Sequence, residues 1–232
     1  PDAIINLAAI ATLDQSNIPL IYQMNGMAIV EILAMLARIG FQGRFVNASS
    51  SLVYGSRTPE SIRETQLLLP EHHYAIAKAM ADRCCLNYRD VLDVVVARPF
   101  NCIGRGHKPD FVVPKIVSHF RERRSTIELG GTTNRRDFVD VRDVAGMYEA
   151  VISCARPPPI VNFCSGTASS IEDIIATLTD ITGHRIEVSH NPAFMRSVDS
   201  PFMCGDNRQL LALPFTYQYL LRDTLAWMLD DK

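Results

Sequence analysis

Short unbroken apolar runs alternate along this chain with longer stretches of helical periodicity. AIINLAA (residues 3–9), RFVNASS (44–50), DVVVARPFN (93–101) and IVNFCSG (160–166) read as strands. Their continuity is the pattern of a parallel sheet covered on both faces. Between the first two, LIYQMNGMAIVEILAMLARIG (20–40) predicts a helix apolar on nearly every side, which must be covered twice. Further helices are predicted over 74–88 and 141–155, the latter broken by Pro157, Pro158 and Pro159. Such alternation predicts an α/β fold with a doubly wound parallel, Rossmann-like sheet. Ligands in these sheets sit at the carboxyl ends of the strands, where Ala8, Ala9, Ser50, Pro99 and Asn101 all fall.

After Asn101 the texture changes. A Gly/Pro-containing loop leads to a helix over 112–121, then the short strands TIELG and RIEVS. A helix between those strands opens on a capping box from Ser169 to Glu172 and stops at Gly183, and LRDTLAWMLDD closes the chain as a helix. Residues 1–103 are accordingly read as the remainder of a dinucleotide-binding domain. Residues 104–232 form mainly a smaller α/β substrate subdomain, with 136–165 returning to the Rossmann sheet. Because the chain enters an apolar strand directly after Pro1 and Asp2, the sheet is expected to lack its first strands. RDVLDVVV leaves so little chain between helix and strand that an internal gap in the numbering is also expected.

Composition changes this picture little. The 232 residues are 47% hydrophobic and 21% charged, which suits one large or two small domains. A net charge of −2 gives no support to nucleic acid or an anionic membrane as partner. The longest apolar run, over 27–39, is interrupted by Glu31 and Arg38, so no membrane span is assigned. Six cysteines without metal spacing or a CxxC pair suit a reducing cytoplasm and no metal site. Cys102 remains open between a pocket-lining thiol and structural filler.

The candidate chemistry lies in 49–78. Tyr74 and Lys78 are four residues apart on a predicted helix, so both leave the same face. An ammonium beside a phenol favours the phenolate, which predicts a lowered Tyr74 pKa and an acid/base able to work near neutral pH. Ser50, ending the preceding strand, could hydrogen-bond the same reacting oxygen. The bland alternative is an amphipathic helix with Tyr74 half buried and Lys78 in solvent.

NLAA, SSSLVYG, YAIAK, RPFN, RRDFVDVRDV and the late MRSVD…GDN occur in an order and spacing that resemble the extended short-chain dehydrogenase/reductases acting on nucleotide sugars. FNCIGRGHKPDFVVPKI is most similar to the branch acting on GDP-sugars. The resemblance implies NAD or NADP as cofactor. It implies Ser50, Tyr74 and Lys78 as catalytic residues, with Leu7, Ala8, Ala9, Ser49 and Pro99 joining Tyr74 and Lys78 along the cofactor. It implies that Asn101, Val112, Lys115, Arg136, Arg196 and Asp199 contact the nucleotide diphosphate, ribose or base. Arginine forks suit phosphate oxygens, although either arginine read alone is as well explained by solvated surface charge. The Gly-rich turn that cradles the cofactor pyrophosphate in this family is not among these residues. Where the dehydratases carry a carboxylate, this chain has Ser51 and Leu52, which favours carbonyl reduction or oxidation over loss of water. The implied activity is reduction of the 4-keto group of a GDP-6-deoxyhexose; a 4-epimerase, a 4,6-dehydratase and an inactive sugar-nucleotide-binding homologue are the alternatives. A homodimer through a four-helix interface is expected, because the helices near 21–39 and 74–88 carry more apolar surface than one sheet face can cover.

Overall fold

The computed structural model describes residues 1–11, 17–56, 61–108, 110–194 and 200–230. Along the chain, β1 (Ala3–Asn6) is followed by α1 (Ile18–Tyr22), a π turn (Gln23–Met27) and α2 (Ala28–Arg38). Next come β2 (Arg44–Ala48), a 3-10 turn (Ser51–Tyr54), α3 (His73–Asn87), β3 (Asp93–Pro99) and β4 (Asn101–Ile103). Then follow α4 (Val112–Arg121), β5 (Thr126–Leu129), β6 (Arg135–Asp140), α5 (Val141–Ser153) and β7 (Ile160–Phe163). The remainder is β8 (Ala168–Ser170), α6 (Ile171–Thr182), β9 (Glu187–His190), β10 (Phe202–Met203), α7 (Arg208–Leu211) and α8 (Leu221–Leu229).

The first sheet has the order β1-β2-β3-β7, parallel throughout. Period-two alternation decides which side chain meets which helix. Phe45, Val94 and Val96 pack with Ile29, Leu33 and Leu36 of α2 and with Ala81 and Cys85 of α3. Val46, Val95 and Ala97 face the other way, onto Met147, Tyr148 and Val151 of α5 and Leu210 of α7. Each such fully buried Leu, Val or Phe contributes roughly 1.5–3 kcal/mol relative to exposure. The result is a helix–sheet–helix sandwich, the doubly wound α/β fold.

β1 departs from the expectation of a strand covered on both faces. It pairs with β2 alone, Ile5 is 38% exposed, and the strand ends at Asn6 with Leu7 62% exposed. Apolar continuity marked a parallel strand correctly, but an edge position decides its burial. The helix expected over 20–40 does form, with the π turn set into it. Gly26 in that turn lets α3 approach, since a Cβ there would fall 2.1 Å from the Met80 methyl. By length and composition alone Ile18–Arg38 could cross a bilayer; here its inward residues Ile21, Ile29, Leu33 and Leu36 are buried.

No gap is needed before β3. α3 ends at Asn87, and the amides of Val91 and Leu92 both return to the Tyr88 carbonyl at 3.0 and 2.9 Å, which reverses the chain within a few residues. The capping box of α6 is shifted by one residue: Ser170 accepts from the Asp173 amide, and Asp173 reaches back to the Ser170 amide. Ser169 instead belongs to β8, and Glu172 accepts from the Thr132 hydroxyl at 2.8 Å.

β6 is the hub of a second sheet. It pairs parallel with β4 and β10 and antiparallel with β8. Of the stretch 136–165, α5 and β7 therefore lie on the first sheet, whereas β6 does not. A separate core joins α4, α6 and α8 to Ile127 and Leu129 of β5. A single residue, Phe100, lies between Pro99 at the end of β3 and Asn101 at the start of β4. It is 5% exposed, and its amide donates to the Phe163 carbonyl at 2.9 Å.

Candidate active site

The register places the carboxyl ends of the first three strands side by side: Asn6 lies opposite Asn47, and Ala48 opposite Ala97. Asn6 Nδ2 donates to Asn47 Oδ1 at 2.9 Å across that end. Beyond β2 the backbone turns at Ser50, whose hydroxyl accepts from the Leu52 amide at 3.2 Å and so caps the 3-10 turn. α3 starts one residue before Tyr74, with His72 Nδ1 accepting from the Ala75 amide as its cap.

These elements bring Ser50, Tyr74 and Lys78 together. The Ser50 hydroxyl lies close enough to the Tyr74 phenol to favour its charged form. Lys78 Nζ lies 5.9 Å from the centroid of the Tyr74 ring and donates to the Ala48 carbonyl at 2.7 Å. Lys78 is only 2% exposed, so the reading of a solvated lysine fails.

The electrostatics correct the sequence expectation. Burial pushes the Tyr74 pKa up, and the nearby Ser50 hydroxyl only partly opposes it. The ammonium is spent on the Ala48 carbonyl, and burial in turn lowers Lys78 to about 8. Desolvation disfavours both charged forms, so without a ligand this site holds a neutral phenol. That is the state of a proton donor.

Leu7, Ala8 and Ala9 follow β1 at the same end of the sheet and are exposed. Ser49 is buried beneath them, its amide on the Ala97 carbonyl at 2.7 Å, and Pro99 ends β3. Asn101 Nδ2 donates to the Asp137 carbonyl at 3.0 Å. Val112 opens α4 and is 38% exposed. Lys115 Nζ donates to the Glu128 carbonyl at 2.8 Å and rests 4.2 Å over the Phe194 ring. Arg136 lies opposite Met203 in register. Arg196 and Asp199 lie outside the described residues.

One cavity, of about 220 Å³, sits elsewhere, between β6, the turn into β8 and residues 217–224; none of the predicted site residues lines it. Its carboxylates are already engaged: Asp140 with Arg142 and Thr224, Asp143 with the amides of Gln218 and Tyr219. Among the described residues no three His, Cys, Asp or Glu side chains cluster as metal ligands.

Comparison with known proteins agrees with this geometry. Residues 1–164 match the profile of the NAD dependent epimerase/dehydratase family. The chain belongs to that family. It is 31% identical over 212 residues to GDP-6-deoxy-D-talose 4-dehydrogenase of Aggregatibacter actinomycetemcomitans, covering 91% of this chain and 72% of that one. It is 31% identical over 226 residues to GDP-6-deoxy-D-mannose reductase of Pseudomonas aeruginosa, covering 90% and 73%. The structure of RMD from Pseudomonas aeruginosa complexed with NADPH superimposes with a TM-score of 0.89 at 29% identity, over all of this chain and 81% of that one.

The nicotinamide end of this family's cofactor fits the residues present. Small side chains at Ala8 and Ala9 leave the strand-end backbone open to a flat ring, with hydrogen-bonding groups at Tyr74 and Lys78 beside it. Three contributors were not legible in the sequence. Asn25, in the π turn, clamps the backbone of Ile10 through both its amide nitrogen and its carbonyl at 2.9–3.0 Å, fixing the segment after β1. Tyr148 stands close enough to Tyr74 and Cys102 to feel their charges, which gives Cys102 a place near the site. Asp82 and Arg98 form an ion pair of 2.9 Å, 1% and 2% exposed, directly below Lys78. The only available signal was Asp82 four residues beyond Lys78.

Proposed function

We propose that this chain catalyses nicotinamide-dependent oxidoreduction at C4 of a GDP-6-deoxyhexose, in the direction of 4-keto reduction. The observation that carries the reading is the gathering of the Ser50 hydroxyl, the Tyr74 phenol and Lys78 at one strand end, with Lys78 anchored to the carbonyl of Ala48. The printed activities of both curated relatives, a 4-dehydrogenase and a reductase of GDP-6-deoxy sugars, support the substrate class.

When bound, the reduced form of NAD or NADP would supply the hydride that C4 takes up. Tyr74 gives its phenolic proton to the carbonyl oxygen as it becomes a hydroxyl, and Ser50 polarises that oxygen and then steadies the phenolate. Lys78 faces the phenolate as it forms and holds the cofactor ribose. Ser49, Leu7, Ala8, Ala9 and Pro99 line the cofactor. Asn101, Val112, Lys115, Arg136, Arg196 and Asp199 frame the nucleotide diphosphate. Leu52, packed beside the buried cluster of Val53 and Tyr54, offers no proton for removing water from the sugar, which disfavours the dehydratase. Incubating the protein with GDP-4-keto-6-deoxymannose and reduced nicotinamide tests the reading. Stoichiometric loss of the nicotinamide absorbance supports a reductase; interconversion of the two C4-epimeric GDP-6-deoxyhexoses with NAD and no net absorbance change makes it an epimerase, and no turnover of either kind favours an inactive binding homologue.

The same reading includes a cytoplasmic homodimer. Leu20, Met24, Met27, Met35 and Ile39 of the long helix and Ile76 of α3 are exposed, an apolar face suited to a second copy. Sedimentation at micromolar protein giving only monomer would remove it.

A further inference from the structure

Beneath the candidate trio lies a buried charged network for which the proton transfer has no direct use. Asp82 is one helical turn beyond Lys78. Its Oδ2 accepts from Arg98 Nε at 2.9 Å. The Ser49 hydroxyl lies against the same carboxylate and favours its charged form, although neither Ser49 Oγ nor Asp82 Oδ1 completes a hydrogen bond of normal geometry. Arg98 continues to the Tyr54 hydroxyl at 2.9 Å and the Glu64 carbonyl at 3.2 Å. Tyr54 donates to Asn162 Oδ1 at 2.7 Å, and the Asn162 amide donates to Glu64. The pair therefore ties α3, the turn after Ser50 and β3, the three elements that carry Tyr74, Ser50 and Pro99.

We infer that Asp82, held ionised by Arg98, is a positioning residue that keeps the buried amine of Lys78 protonated. The inference rests on the catalytic reading of Lys78 only for its effect on rate. An amine taken out of water tends to lose its charge, and a neighbouring carboxylate opposes that loss. The groups facing Lys78 are Tyr74 and Cys85 on its own helix and the Ala48 carbonyl of β2. Burial pushes both the phenol and the thiol up, so neither supplies negative charge near neutral pH. Burial pushes the Asp82 carboxyl up as well, and the Arg98 guanidinium paired with it at 2.9 Å opposes that, which makes Asp82 the counter-charge available to Lys78.

The chain contains four lysines, at 78, 108, 115 and 232, so ε-carbon NMR of lysine-labelled protein resolves each titration, with K78R assigning the signal. In D82N the Lys78 midpoint should fall by roughly one pH unit or more, while the other lysines stay put. D82E should restore it. Because D82N strands the buried Arg98 guanidinium, D82L/R98M removes both charges and serves as the second variant, with a smaller fall expected because the like charge of Arg98 goes too. An unchanged midpoint in either folded variant overturns the inference. In the reductase assay, the alkaline limb of the kcat profile should move to lower pH together with the NMR midpoint. A midpoint that moves while the profile does not would leave Asp82 as the counter-charge of Lys78 and defeat the catalytic reading of Lys78 instead.

Discussion

The ammonium of Lys78 donates to the carbonyl of Ala48 at 2.7 Å, so the helix that carries Tyr74 is pinned to the strand that ends at Ser49 and Ser50. This contact sets the spacing between donor and polariser before any ligand arrives. It also leaves a charge in a place where water cannot reach it.

Burial of that charge predicts a protein that is more stable without it. Lys78 titrates near 8 in the folded state and near 10.4 when unfolded, so below pH 8 the folded protein carries a penalty. The unfolded chain binds the extra proton between those values, so stability attributable to this residue rises with pH across that window. Lys78→Met should be inactive yet about 2 kcal/mol more stable at pH 7, with the gap closing between pH 8 and 10.5. Urea unfolding at several pH values measures it; a destabilised variant across the range contradicts it.

Tyr74→Phe should lower kcat by about 10²–10⁴-fold while leaving the Kd for the sugar nucleotide within about twofold. Calorimetric titration beside steady-state kinetics checks both numbers. A variant retaining most of its rate removes Tyr74 as the acid.

Ser50→Ala takes away the hydroxyl that restrains the upward shift of the Tyr74 pKa. In the oxidising direction the phenolate is the working form, so the rise of activity with pH should move to more alkaline values. A pH–rate profile that does not move indicates that Ser50 acts on the substrate alone.

Asn25→Ala breaks both contacts to the Ile10 backbone and leaves its polar groups to find water. A loss of about 1–3 kcal/mol in cofactor binding is expected, read mainly as a raised KM for the nicotinamide nucleotide. An unchanged KM would separate the π turn from the cofactor.

Gly55→Ala tests the connection behind Ser50. Gly55 has a φ of 80°, and a Cβ there would meet the Leu69 carbonyl oxygen at 2.2 Å, a backbone atom with little freedom to yield. Strain and clash together should destabilise by roughly 2 kcal/mol or more. Thermal unfolding reads it directly, and an unshifted Tm would mean that the turn relaxes.

The sheet was legible where apolar residues cluster: β2, β3 and β7 each carry a short apolar core, Phe45 and Val46, 94–97, and Ile160 and Val161. β8 and β10 have only three and two residues, and they exist as strands because β6 offers them an edge, which no local pattern announces. In the candidate site, the four-residue spacing of Tyr74 and Lys78 correctly placed both on one helical face. The direction of the Tyr74 shift was misread because desolvation depends on what covers the ring, not on its neighbour in sequence. Asp82 and Arg98 were passed over for the same reason: charged residues read as surface until a fold buries both of them.

Phe100 has a mechanical consequence. With one residue between β3 and β4, the chain passes from one sheet to the next without slack, and the Phe100 amide is itself fastened to β7. Any swing of the smaller lobe is transmitted straight into β3. The two lobes should lose their amide protection against deuterium together, as one cooperative body.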